Sequence, residues 1–438
     1  MFPKIISDKI PGKKSREYAK RLSQVESANV TYLSDDFPVF WAKAKGCNIW
    51  DSDGNRFLDL TSAFGVASLG HTNAAVEEAI REQAGKLIHG MGDVHPPESK
   101  VLFLEKLISL LPPGLDRAIL SCNGSDACES ALKTAQRYTK KPGLIAFRNS
   151  YHGLGYGALD LTGIDFFRAG FERRLSAQTF FAEFPNTHEM GKAALEKSLY
   201  SIEKILEQNK ETIGSLILEP IQARGGVVVP PDGFLVELKN LCRKNNLLLI
   251  LDEIYTGFAR TGKLFAFEWD GVLPDLICLG KTLSGGLPLS ACVGSQRIIE
   301  KAWPKSTGAA IHTSTFLGNP LACIAGLATL RELEKFDLST IEKKSNFFRE
   351  KLIELKKLFP KEIVEVRGRG LMMGVEFKEQ ILLEKIILAA LKKGLILLSS
   401  GTQGKVLSFS PPLVISEEEL SFTVKTITDL LKLEKEKL

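Results

Sequence analysis

Between Gly214 and Glu253 short continuous apolar runs alternate with sequence of helical period. GSLILEP is followed by a Gly/Pro-rich turn, by FLVELKNLCRKNN with its apolar residues three and four apart, and then by LLLILDE. A short apolar run bounded by turn residues reads as a strand buried on both faces. Its alternation with helices implies right-handed βαβ units and a parallel sheet. RAILS (117–121), GLIAFR (143–148), DLICLG (275–280) and SACVGS (290–295) read as further strands, and DACESALKTAQRY (126–138) as a helix among them. The pattern predicts a large, mostly parallel α/β domain over residues 75–325.

The pattern changes on either side. Downstream, a helix from Pro320 to about Lys335 leads into charged helical sequence, a turn at Arg367-Gly368-Arg369-Gly370, the apolar strand LMMGVEF and a helix-rich end, which predicts a smaller α+β domain over 326–438. Upstream, VFWAKAKGCNIWDSDGNRFLDL alternates about the turn Asp51-Ser52-Asp53-Gly54, a hairpin signature inside an N-terminal segment 1–74. The closing KLEKEKL reads as a solvated helix end.

Length agrees with this division, because 438 residues exceed the roughly 250–300 at which a single core stops growing. A composition 44% hydrophobic and 25% charged excludes a disordered or fibrous chain. Fifty-seven lysines and arginines against 52 acids, without a long basic block, argue for neither nucleic acid nor an anionic membrane surface as partner. Seven cysteines, none in a C-x-x-C arrangement, encode no disulfide framework or zinc ribbon and read as reduced core thiols. With no leader-like N terminus and no apolar run of about 20 residues, the expectation is a soluble, cytoplasmic protein.

In parallel sheets ligands bind at the carboxyl ends of strands. Asp252 and Glu253 close LLLILDE, Glu219 closes SLILEP, Lys281 follows DLICLG, Gly124-Ser125 follows RAILS, and Tyr151-His152-Gly153 follows GLIAFR. Asn123-Gly124-Ser125-Asp126 opens a helix, whose free N–H groups favour an anion such as phosphate, or else Ser125 or Asp126 is simply a cap. Lys281 is either a solvent-facing loop lysine or a desolvated one of lowered pKa suited to Schiff-base chemistry. Asp252 is either a helix cap or a charge partner for a pyridinium nitrogen. The serine of Leu283-Ser284-Gly285-Gly286 makes no nucleophile elbow, and Gly153–Gly157 and Gly368–Gly374 match a dinucleotide fingerprint only loosely. His89 and His95 lack matching partners, so no metal site is expected.

LDEIYTGFARTGKLFAFEW with PDLICLGKTLSGGLPLSACVGS resembles the signature of the class III (ornithine/4-aminobutyrate type) aminotransferases. CNGSDACESALKTAQRYT, AFRNSYHG, LEPIQARGGVVVPPDGF, HTSTFLGNPLACIAGL, RGRGLMMGVEF and SPPLVISEEEL occur in that family's order, from about residue 35 to the end. The resemblance implies a fold-type-I α/β enzyme that carries pyridoxal 5'-phosphate and acts on a small amine or amino acid with an oxoacid. It implies a homodimer with shared sites, the N-terminal segment contributing to the small domain and to dimer contacts. Lys281 would carry the cofactor as a Schiff base and shuttle the proton, Asp252 would pair with the pyridine N–H, and Gly124 and Ser125 would hold the phosphate. Tyr151 would stack on the ring, Gln222 would reach the phenolic oxygen, and Thr315 would reach the phosphate of the neighbouring subunit.

Glu219 stands where the family keeps a carboxylate near the substrate, and Phe64, Val66 and Met91 suggest an apolar pocket lining. The family's 2-oxoglutarate users place an arginine just before Pro-Pro-Leu, where this chain has Ser408, and a hydroxyl cannot replace a bidentate guanidinium. Arg224 and Arg260 are candidate replacements, although ordinary structural ion pairs are the favoured reading for either. Transamination is the expected reaction, with an aminomutase or an amino-acid racemase/epimerase as the alternative raised by Ser408. A catalytically silent cofactor-binding or regulatory relative is a remoter one, opposed by retention of Lys281, Asp252 and the phosphate turn.

Overall fold

The computed structural model describes residues 1–436, and its strands, in chain order, are β1 (Trp41–Lys45), β2 (Asn48–Asp51), β3 (Arg56–Asp59), β4 (Arg117–Ser121), β5 (Gly143–Phe147), β6 (Thr179–Ala182), β7 (Ile213–Leu218), β8 (Leu248–Asp252), β9 (Leu276–Leu279), β10 (Ser290–Gly294), β11 (Ile363–Arg369), β12 (Met372–Phe377), β13 (Leu395–Ile396), β14 (Leu398–Ser400) and β15 (Val406–Phe409). They fall into two compact units. Ala74–Leu338 forms one, and Met1–Asn73 with the chain from Ser339 onward forms the other.

The larger unit is built on a seven-stranded sheet of order β4-β10-β9-β8-β7-β5-β6. Every pairing is parallel except the two made by β10, which runs against both β4 and β9. The inner strands β5, β7, β8, β9 and β10 are buried at every residue, which is why they read as unbroken apolar runs. The edge strands β4 and β6 keep partly exposed positions. β6, with only the four residues TFFA, carries no such run and is not legible from the pattern.

Helix Gly124–Thr139 packs on this sheet through Ala127, Cys128, Ala131 and Ala135, whose small side chains bring it close to Ile217, Ile250, Cys278 and Cys292. Helix Pro320–Glu334 starts on an Asn319 cap with proline in its first turn, as its sequence dictates. It packs on helices Ala74–Ala84 and Glu98–Ser109 and so belongs to the large unit. The boundary expected at 325/326 therefore lies at 338/339, since the apolar residues buried along this helix find their partners in the large unit.

In the smaller unit the expected hairpin is present as β2 and β3, in a sheet of order β1-β2-β3-β13, where β13 joins β3 in parallel. The second sheet has the order β11-β12-β15-β14. Ser62, Ala63 and Phe64 take φ values of 48°, 49° and 60° and Gly65 follows at 81°, a left-handed turn that L residues adopt only at a cost in energy. The closing stretch lies on helix Glu417–Glu436 and is largely exposed as far as it is described; Lys437 and Leu438 lie outside the described residues. All seven cysteines are free and all but Cys122 are buried. Among the described residues no helix is long and apolar enough to cross a membrane.

Candidate active site

Because β4, β5, β7, β8 and β9 point the same way, the segments after them gather at one edge of the sheet, the place where such sheets take ligands. After β4, the side chain of Asn123 caps the helix by accepting from the Asp126 N–H at 3.0 Å, so the cap is neither Ser125 nor Asp126. The N–H groups of Gly124 and Ser125 have no partner among the described residues. Both point out of the first turn, where the helix dipole favours an anion. Ser125 Oγ accepts from Gly155 N–H at 3.0 Å, and a Cβ on Gly153 (φ +125°) would come within 2.6 Å of Ser125 Cβ. Only glycine at 153 lets the loop after β5 close over this turn.

Asp252 ends β8 and is held from three directions. Its Oδ2 accepts from His152 Nδ1 at 2.7 Å and from the Cys128 thiol at 3.4 Å, and its Oδ1 accepts from Ile254 N–H at 3.0 Å. His152 is buried. Burial, the largest influence, opposes its charge, but the hydrogen bonds to Asp252 and Cys128 together with their charges outweigh it and lift its pKa to about 10, so it is an imidazolium at neutral pH. His152 Nε2 is buried with no hydrogen-bond partner. The ligand atoms of Cys128, His152 and Asp252 lie within 4.8 Å of one another, a spacing that a metal ion could share, and here hydrogen bonds among them occupy it.

Lys281 comes two residues after β9 with φ +45°, a conformation a lysine adopts only where its surroundings impose it. Its side chain makes no ion pair among the described residues, and Nζ sits 4.1 Å from the centroid of the Tyr255 ring. Burial drives its pKa down and the charges of Asp252 and Glu219 resist, leaving it at about 8. The carboxylate of Glu219 is buried, accepts from the N–H groups of Tyr151 (2.8 Å) and Ala223 (2.9 Å), and is pushed up to about 7 by burial, with the charge of His152 opposing.

Glu253 supports the loop after β8. It is fully buried, accepts from the Phe267 N–H at 2.8 Å and from the Thr256 hydroxyl, and burial raises it from 4.5 to about 7 against those bonds. The folded chain therefore holds this proton over a pH range in which the unfolded chain has released it, and Glu253's contribution to stability, complete below pH 4.5, is lost as pH rises through 7. Glu253→Gln is expected to lose less stability than the wild type between pH 5 and pH 8. Urea midpoints at the two pH values check this, and parallel losses would show that the group does not titrate there.

Of the remaining candidates, Gln222 is buried with its Nε2 donating to Arg148 O at 2.8 Å. Tyr151 packs edge-on against Phe167, with ring centroids 5.3 Å apart. Thr315 is exposed in the irregular segment between residues 304 and 319. Arg260 is fully buried, so it offers no surface to a substrate. Arg224 is exposed and makes no ion pair or hydrogen bond among the described residues, which overturns a structural ion pair as its explanation. Phe64 lies exposed on the left-handed turn of the smaller unit, Val66 follows that turn half-buried with right-handed backbone, and Ser408 is bonded within that unit's second sheet, its hydroxyl donating to Leu398 O at 3.0 Å. Met91 is exposed in the larger unit. Sequence reasoning gave no role to His152 or Cys128. The Tyr-His-Gly motif was a signal for the first, and no pattern links residues so far apart to Asp252.

A profile of the family described as "Aminotransferase class-III" matches residues 31–431. The chain is 35% identical over 442 residues to 4-aminobutyrate aminotransferase of Mycobacterium leprae, covering 96% of each protein. It is 34% identical over 425 residues to leucine/methionine racemase of Thermococcus litoralis, covering 93% of each. The crystal structure of ornithine aminotransferase from Toxoplasma gondii superposes with a TM-score of 0.86 at 29% identity, covering 97% of this chain and 96% of that one.

Proposed function

The chain belongs to the class III aminotransferases, fold-type-I enzymes that use pyridoxal phosphate to move an amino group from an amine or amino acid to an oxoacid, and from that premise we propose that the edge of the large sheet is its active site, with Lys281 as the amine that binds the cofactor and carries the proton. The residues present fit that group. The unpartnered N–H groups of Gly124 and Ser125 suit its phosphate, Asp252 suits its ring nitrogen, and Lys281, half-buried and unpaired, suits its aldehyde. When bound, the cofactor supplies that aldehyde and an electron-withdrawing ring that acidifies the Cα–H of an attached amine. Asp252, fixed by His152, Cys128 and Ile254 N–H, would hold the ring nitrogen protonated through a charge-assisted hydrogen bond. Lys281, with its pKa lowered to about 8, would take the proton from the substrate Cα and return it two bonds away, to the carbon that had been the aldehyde.

The observation that carries this reading is the convergence of a depressed lysine and a held carboxylate on one sheet edge beside an open helix N terminus. We further read the enzyme as a cytoplasmic homodimer in which exposed Thr315 completes the partner subunit's phosphate site, so that cofactor affinity falls on dilution to monomer. The test is the absorbance of the cofactor-loaded protein during addition of amines, followed by a panel of oxoacid acceptors. Amine-dependent spectral change with ketone release is expected. No change with any amine would remove the reading, and loss of chirality without an acceptor would replace transamination by racemisation.

A further inference from the structure

Ser408 leaves open what binds the carboxylate of an acidic substrate, and the larger unit carries a cation, Arg224, whose charge acts on Lys281 and which has no ion pair among the described residues. Arg224 sits on the tight loop after β7, where Gln222 and Val228 exchange both backbone hydrogen bonds (3.1 and 3.0 Å) and Gly226 and Val227 N–H close onto Ala223 O. The loop is therefore rigid. The guanidinium lies 5.9 Å from the centroid of Tyr151 and 5.3 Å from that of Phe167. Cation–π contact with the two rings locates the charge while it makes no hydrogen bond or ion pair among the described residues.

Its surroundings place it at the reacting groups. Tyr151 is the residue whose N–H reaches Glu219 and whose neighbour His152 holds Asp252. After burial, the charge of Arg224 is among those that depress the Lys281 ammonium. Glu219, at the same sheet edge, is already bonded to two backbone N–H donors and makes no ion pair with the arginine among the described residues. A planar cation with an unused fork of donors matches the two coplanar oxygens of a carboxylate.

We propose that Arg224 is the substrate-carboxylate anchor of this enzyme, making its preferred substrates amino acids and oxoacids over amines that lack a carboxylate. This rests on the reading of the sheet edge as the active site. The test uses the cofactor-loaded enzyme and two unreactive probes, glutarate and 4-methylpentanoate, whose Kd is measured by calorimetry. In parallel, kcat/KM is compared for carboxylated amino donors and for 2-phenylethylamine. In Arg224→Gln both the probe affinity and the ratio of acid to amine kcat/KM are expected to fall about ten- to a hundredfold, the worth of charge-assisted hydrogen bonds. Arg224→Lys, which keeps the charge and loses the fork, should fall between. Failure of the spectral response to amines in the wild type would remove the active-site reading itself. A wild type that binds neither probe, unchanged Kd in the Gln variant, or equal losses for acids and amines would overturn the anchor.

Discussion

Lys281→Ala is expected to bind the cofactor only non-covalently and to lose turnover by at least about 10²–10⁴-fold, the share that a positioned proton-transfer group alone contributes. The cause is specific to this lysine. A pKa near 8 in place of 10.5 raises the fraction of free amine at pH 7 by about two orders of magnitude, and neither attack on an aldehyde nor proton abstraction can proceed from the ammonium form. It follows that the wild-type rate should climb with pH toward 8 as the amine is released. Borohydride reduction followed by intact-mass measurement checks the assignment. A cofactor-sized mass increment that survives in the Ala variant would mean that another lysine bears the adduct.

Asp252→Asn is expected to keep the fold and to cut turnover about 10²–10³-fold, as removal of one preorganised electrostatic partner does. The amide preserves the shape and one acceptor oxygen but not the charge that holds a ring nitrogen protonated. It also frees His152 to lose its proton, since the carboxylate is what sustains the imidazolium against burial. Asp252→Ala should be worse in both stability and cofactor retention, because truncation also removes the acceptor of His152, the Cys128 thiol and Ile254 N–H, at about 1–3 kcal/mol for each buried donor left unpaired. Steady-state rates and cofactor Kd measured side by side decide the matter, and near-normal turnover in the Asn variant would take Asp252 out of the site.

Much of this arrangement was legible in the chain because the physics that writes it is local. Strands buried on both faces appear as apolar runs, so β5, β7, β8, β9 and β10 could be read directly, and the residues that end them could be assigned to one edge. What could not be read depends on contacts distant in sequence. The membership of helix Pro320–Glu334 in the large unit is decided by the helices it packs against, its own periodicity being silent on the point. The left-handed turn at Ser62–Gly65 carries glycine at only one of its four positions, so turn chemistry did not announce it. The grip of His152 and Cys128 on Asp252 joins three segments that only the folded sheet brings together, and Arg224 could be separated from Arg260 only once one was seen exposed and the other buried.

The antiparallel strand β10 has a consequence for how the molecule comes into being. β4 is made early, yet its only partner in the sheet is β10, with Ser121 facing Ser290 across about 170 residues of chain. At roughly 5–20 residues per second on the ribosome, β4 waits about 10–30 s before that partner is synthesised. During that time its hydrogen-bonding edge is open and the helix it feeds has only part of a sheet to pack on. Closing so distant a pair is also the slow kind of step in folding. The phosphate turn after β4 and the lysine loop before β10 are thus joined by the last strand to arrive, and a chain that stops short of Ser290 is left with an unpaired edge prone to aggregate.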